Sequence, residues 1–207
     1  IGGNEADIGY DILPSEGGGM YILGETHSQG DTDGDIWIIE LNSGGHPIDT
    51  VLIEGDGKQV GYSFAKLELG GFTIAGITSG SSGVTDALMI QVNEIGEVEW
   101  VFSYGGIYND LGYSLVYSDG GWVLVGQTYS YDKGGGDAWI LKVSEVGDFE
   151  WMRTYGGTNN DSAFDIAITS DGGFIICGST YIPGNQSDGW LLKTDSQGNY
   201  KEILPYP

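Results

Sequence analysis

DGGWVLVGQT (Asp119 to Thr128) and DGGFIICGST (Asp171 to Thr180) are two spellings of one phrase. Each opens on a glycine-rich turn, runs through apolar residues and closes on Gly-x-Thr. Two further copies, GGGMYILGET (Gly17 to Thr26) and LGGFTIAGIT (Leu69 to Thr78), end the same way. An aspartate follows each copy, and Asp35, Asp86, Asp137 and Asp188 stand at a constant interval of 51 residues. A period of about 50 residues signals a repeat architecture and takes precedence over any local reading.

The third copy resolves into strands. GYSLVYS (Gly112 to Ser118) leads into the turn DGG, where glycines supply the positive φ of a tight hairpin. WVLVG (Trp122 to Gly126) is apolar at every position before its glycine, as in a strand covered on both faces. A polar loop reaches Asp137 and a third strand, AWILKV (Ala138 to Val143), and the turn SEVGD delivers a fourth, FEWMRTY (Phe149 to Tyr155). In that last strand Phe149, Trp151, Arg153 and Tyr155 share one face, as suits an outer strand. Four antiparallel strands used four times predict an all-β fold, a four-bladed β-propeller of four-stranded antiparallel blades. The blades are expected over residues 1–53, 54–104, 105–155 and 156–207 of a single domain spanning 1–207. Isolated units of about 50 residues are hard pressed to bury a core alone.

Composition agrees with a turn-rich globular chain: 38 of 207 residues are Gly, 13 are Tyr and 40% are hydrophobic. Asp plus Glu number 30 against 7 Lys plus Arg, a formal charge of −23 that repels nucleic acid and anionic membrane. No run of about 18 apolar residues offers a membrane span. The first residue is Ile rather than Met, which leads us to expect a processed or trimmed chain. Cys177 is the only cysteine, so no disulfide forms within the chain, and its place in the run FIIC predicts a buried thiol packing as a small hydrophobe.

The run from Tyr104 to Trp151, and its neighbour from Tyr155 onward, carries YGG…D…DGG…G-x-T…D-x-W-x-x-K…G…W. This pattern resembles the repeat of secreted and cell-surface prokaryotic β-propeller proteins, and the resemblance extends over essentially the whole chain. It implies the fold and an extracellular or cell-surface location, and no reaction. The other copies depart from it: GDGKQVGYSF replaces the GGxxxD opening in the second, and Asp49 and Glu202 stand where Trp100 and Trp151 sit.

The recurring Asp35, Asp86, Asp137 and Asp188 are read as structural repeat residues, since a short carboxylate fixes a turn by accepting backbone N–H bonds. GDTDGD (Gly30 to Asp35) places Asp31, Asp33 and Asp35 at alternate positions, a candidate oxygen-rich loop for Ca²⁺. It does not fit the EF-hand, because counting from Asp31 puts Ile36 and Asn42 where Gly and Glu are needed. The sequons at Asn160 and Asn185 are candidate N-glycosylation sites of an exported chain. Tyr10-Asp11, Tyr62-Ser63, Tyr113-Ser114 and Phe164-Asp165 recur on the first strand, where the polar member is expected to hydrogen-bond between blades.

An enzyme needs a constellation that the repeats do not share. The two histidines, His27 and His46, fall in different connections of the first copy and are expected to be solvated. The leading expectation is therefore a non-catalytic extracellular propeller acting as a binding or adhesion module. Its alternative is a self-assembling structural surface or filament protein, associating through outer strands of low charge such as VEWVFSY. A glycan-directed hydrolase using a carboxylate pair stands third.

Overall fold

The computed structural model describes residues 2–30, 33–80, 83–131, 134–182, 184 and 187–204, the last three of these by their backbone. Strands β1 (Asp7–Pro14), β2 (Met20–Thr26), β3 (Asp35–Leu41) and β4 (Pro47–Ile53) form the first sheet. Strands β5 (Lys58–Lys66), β6 (Phe72–Ser79), β7 (Thr85–Val92) and β8 (Val98–Tyr104) form the second. The third holds β9 (Asp110–Tyr117), β10 (Gly121–Thr128), β11 (Asp137–Ser144) and β12 (Phe149–Tyr155). The fourth holds β13 (Asp161–Ile168), β14 (Phe174–Tyr181), β15 (Ser187–Thr194) and β16 (Tyr200–Leu204). Strands pair in chain order in every sheet, so each sheet is a meander. Among the described residues the one helical segment is a 3-10 turn at Glu16–Gly18, and no helix is long and apolar enough to cross a membrane.

The sheets gather into two compact units, Ile1–Ser103 and Tyr104–Pro207. In the first, Leu23, Ile36 and Ile38 pack against Phe64, Phe72, Ile74, Leu88 and Ile90. In the second, Val123, Val125 and Ile140 pack against Ala163, Ile166, Phe174, Ile176 and Leu192. Each fully buried Leu, Ile or Phe contributes about 1.5–3 kcal/mol through removal from water. β10 is buried along its whole length, as a strand apolar on both faces requires.

β14 departs from that pattern. Phe174 and Ile176 are buried in the core of the second unit, but Cys177 is exposed, contrary to the sequence expectation. Successive side chains point to opposite faces, so Cys177 leaves the core face between its cross-strand partners Asp165 and Leu191. Leu191 and Phe164 on this sheet are themselves exposed.

Two local devices account for the repeat. Each first strand carries a bulge, and the residue it skips is Tyr10, Tyr62, Tyr113 or Phe164. The bulge turns the following polar residue toward the neighbouring sheet. Phe64 N donates to Asp11 Oδ2 at 3.1 Å, and the Ser114 hydroxyl donates to Asp165 Oδ1 at 2.8 Å. The bulged backbone also presses on the Gly-x-Thr glycine: a Cβ on Gly126 would collide with the Leu111 carbonyl, and one on Gly178 with that of Ser162. At the opposite end of the strands the lysine of D-x-W-x-x-K closes the DGG turn. Lys193 Nζ donates to Asp171 Oδ1 at 2.8 Å and to the Thr194 carbonyl at 2.9 Å. Lys142, almost wholly buried, donates to the Val143 carbonyl at 3.2 Å.

Candidate functional site

At one end of three of the four sheets the Gly-x-Thr threonine stands between two acidic positions. Thr26 faces Asp7 and Asp35, Thr128 faces Asp110 and Asp137, and Thr180 faces Asp161 and Asp188. Asp7 accepts the Thr26 hydroxyl at 2.5 Å, the Ser28 hydroxyl at 2.9 Å and Gly3 N at 2.8 Å. The Thr26 bond foremost holds the Asp7 carboxyl below its ordinary range. Asp110 repeats the arrangement with Thr128, Ser130 and Gly106 N. Gly157 N donates to Asp161 at 3.0 Å. In the second sheet Gln59 takes the aspartate's place opposite Thr78.

The sequence-derived site residues divide accordingly. Asp35 and Asp137 are buried against glycine backbone, at Gly30 and Gly156 respectively, while Asp86 is half-buried and Asp188 exposed. Asp33 is exposed, and Asp31 lies outside the described residues. Among the described residues no group of three or more His, Cys, Asp or Glu is arranged to hold a metal. Asn160 is exposed and its Oδ1 accepts Gly136 N at 3.0 Å; Asn185 lies outside the described residues.

His27 is not the solvated loop residue the sequence led us to expect. Its Nε2 lies 2.8 Å from Glu25 Oε1, which also takes Lys58 Nζ at 2.9 Å, and the Tyr10 hydroxyl donates to Glu25 Oε2 at 3.2 Å. Burial alone would raise the Glu25 carboxyl, but the Lys58 and His27 bonds outweigh it and hold the group below its ordinary value. The signal was present in the sequence: the central residue of Gly-x-Thr is Glu25 in the first copy and Ile77, Gln127 and Ser179 in the others. In the second unit the same position is neutral, with Gln127 Nε2 donating to the Asp161 carbonyl at 3.1 Å.

The second unit holds a cleft of about 740 Å³ between the third and fourth sheets. Its walls include Tyr155 at the end of β12, Asn159 from the following loop, Asp161 at the start of β13, Tyr181 after Gly-x-Thr, Trp190 on β15 and Tyr200 on β16. The Tyr155 hydroxyl donates to the Gly198 carbonyl, and burial pushes its pKa up to about 12. Trp190 lies against Gly178, whose missing side chain leaves room for the indole. Tyr181 and Tyr200 are exposed. The chemistry offered is broad aromatic surface edged by amide, hydroxyl and carboxylate groups.

No protein-family model matches the chain, and no curated protein matches it. Solved structures do match in fold. A xylan beta-1,4-xylosidase from Bacillus halodurans C-125 aligns with 100% of this chain at TM-score 0.52 and 12% identity. An endo-1,4-beta-xylanase from Bacteroides thetaiotaomicron VPI-5482 aligns with 99% at TM-score 0.58 and 11% identity, covering 77% of that chain. A beta-1,2-mannobiose phosphorylase from Listeria innocua aligns with 97% at TM-score 0.53 and 10% identity, covering 76% of that chain. This chain spans about half, 47%, of the length of the xylosidase. The fold is all-β, four four-stranded antiparallel sheets of the propeller kind. At these identities the likeness extends to fold alone.

Proposed function

We propose that this protein is a non-catalytic binding module for neutral glycans, with the cleft between the third and fourth sheets as its ligand site. The observation that carries the reading is the lining of that cleft. A sugar ring presents an apolar C–H face and a rim of hydroxyls, and it is matched by aromatic faces beside polar groups. Tyr181, Trp190 and Tyr200 supply the faces, and Asn159, Asp161 and Thr180 the polar edge. A charge of −23 opposes anionic glycans and leaves neutral ones unhindered. Glycoside hydrolysis calls for two carboxyl groups flanking the bond, and Asp161 is the one carboxylate among the described lining residues. The three solved structures of like fold are named for enzymes of xylan and mannobiose, which makes neutral xylo- and manno-oligosaccharides the first ligands to try. A cell-surface or secreted location belongs to the same reading, on the resemblance of the repeat. Calorimetric titration with these oligosaccharides tests it. Binding by the wild type, lost in Trp190→Ala and weakened in Tyr181→Ala, supports the reading; binding unaltered in both variants refutes it.

A further inference from the structure

The third and fourth sheets carry one motif at corresponding places, and among the described residues only the third has it covered. Trp139 faces Gly126 across β10 and β11, as Trp190 faces Gly178 across β14 and β15. Tyr104-Gly105-Gly106 leads into the third sheet as Tyr155-Gly156-Gly157 leads into the fourth. Yet Trp139 is buried and Trp190 half-buried. Over Trp139 lies Tyr131. Its ring stacks on the Trp139 indole, with centroids 6.4 Å apart and planes 24° apart, and its hydroxyl donates to the Gly105 carbonyl at 2.8 Å. The corresponding position of the fourth copy, two residues beyond Tyr181, is Pro183, which lies outside the described residues.

We propose that Tyr131 marks, within the chain itself, the pose that a ligand ring adopts in the fourth-sheet cleft: stacked on Trp190, with a ring hydroxyl donated to the Gly156 carbonyl. The inference rests on the reading of that cleft as the ligand site and adds the orientation of the ligand to it. A carbonyl oxygen only accepts, so the ligand must bring the donor. A saccharide whose apolar face covers the indole carries such hydroxyls on its rim. The third sheet then holds a second, latent copy of the site, closed by Tyr131.

Two experiments test the pose. Calorimetric titration of Tyr131→Ala with a neutral oligosaccharide bound by the wild type is expected to give two sites per chain where the wild type gives one. Tyr131→Phe, which keeps the ring in place, is expected to remain at one. A single site in a folded Tyr131→Ala variant overturns the proposal. N-acetyltyrosinamide, a free copy of the internal ring, is expected to compete with the oligosaccharide on the wild type. N-acetylphenylalaninamide should bind roughly five- to tenfold more weakly, the loss of about one hydrogen bond. This second experiment decides alone if Tyr131→Ala does not fold, and absence of competition overturns the pose. Saccharide binding that depends on Trp190 without competition leaves the glycan reading standing and removes this one. Tyrosinamide binding that depends on Trp190, with no saccharide bound, does the reverse.

Discussion

Asp110 and Thr128 face each other across β9 and β10, both wholly buried, with the threonine hydroxyl donated to the carboxylate. Removing the hydroxyl while keeping the shape withdraws a donor from a buried charge. Thr128→Val is therefore expected to destabilise the protein by about 1–3 kcal/mol. Thr158→Val, at an exposed loop position, should stay within about 0.5 kcal/mol of the wild type. Denaturant unfolding of the two variants checks this, and equal midpoints would contradict the role given to the pair.

Gly156 and Gly157 are adjacent and unequal. A Cβ on Gly156 would collide with Asp137 and Asp161, whereas one on Gly157 meets nothing within 4 Å. Gly156→Ala is expected to cost about 1–3 kcal/mol as an overpacked site. Gly157→Ala should lie within about 0.5 kcal/mol of the wild type. Thermal melts in which Gly157→Ala is the weaker protein would reverse the assignment.

The Glu25 carboxyl sits below its ordinary value in the folded state because the Lys58 and His27 bonds outweigh burial. A depressed carboxyl contributes stability above its unfolded pKa and loses it as pH falls through the folded one. Melting temperature should therefore fall more steeply with acid in the wild type than in Glu25→Gln, over the range below the ordinary glutamate value of 4.5. At neutral pH the Gln variant should be the less stable, since Lys58 and His27 lose their anionic partner. Parallel curves for the two proteins would exclude this contribution.

Cys177 is exposed on β14. A maleimide or aromatic disulfide reagent should therefore modify one thiol per chain without denaturant. Labelling that waits for unfolding would restore the buried thiol suggested by the run FIIC.

The sequence reading succeeded where a residue's task is repeated. The interval between Asp35, Asp86, Asp137 and Asp188 implied four sheets, and DGG, Gly-x-Thr and D-x-W-x-x-K fall on turns and strands as their chemistry requires. It failed where one copy departs from its siblings. Glu25 occupies a position otherwise held by Ile77, Gln127 and Ser179, and only the packing of β5 against β2 brings Lys58 to it. Cys177 failed for another reason: an apolar run reads as a strand covered on both faces, and on β14 the face that carries Cys177 is left uncovered. The cleft was illegible because Tyr155, Tyr181 and Trp190 are repeat residues, and only the space left above Trp190 distinguishes them from Tyr104, Tyr129 and Trp139.

The threonine–aspartate pairs join residues close in the chain, 19 apart for Asp7 and Thr26 and 18 apart for Asp110 and Thr128. Closing loops of that length costs little conformational entropy, and each doubling of length adds only about 0.6 kcal/mol. Every sheet is a run of such short closures, a topology of near neighbours that folds quickly for a β protein. Two sheets share each core, so a pair of sheets can form as soon as its own stretch of chain has left the ribosome, from the N-terminus onward. The aspartate of the first and third sheets thus serves assembly as well as the turn: it ties the first two strands of its meander together across a short loop.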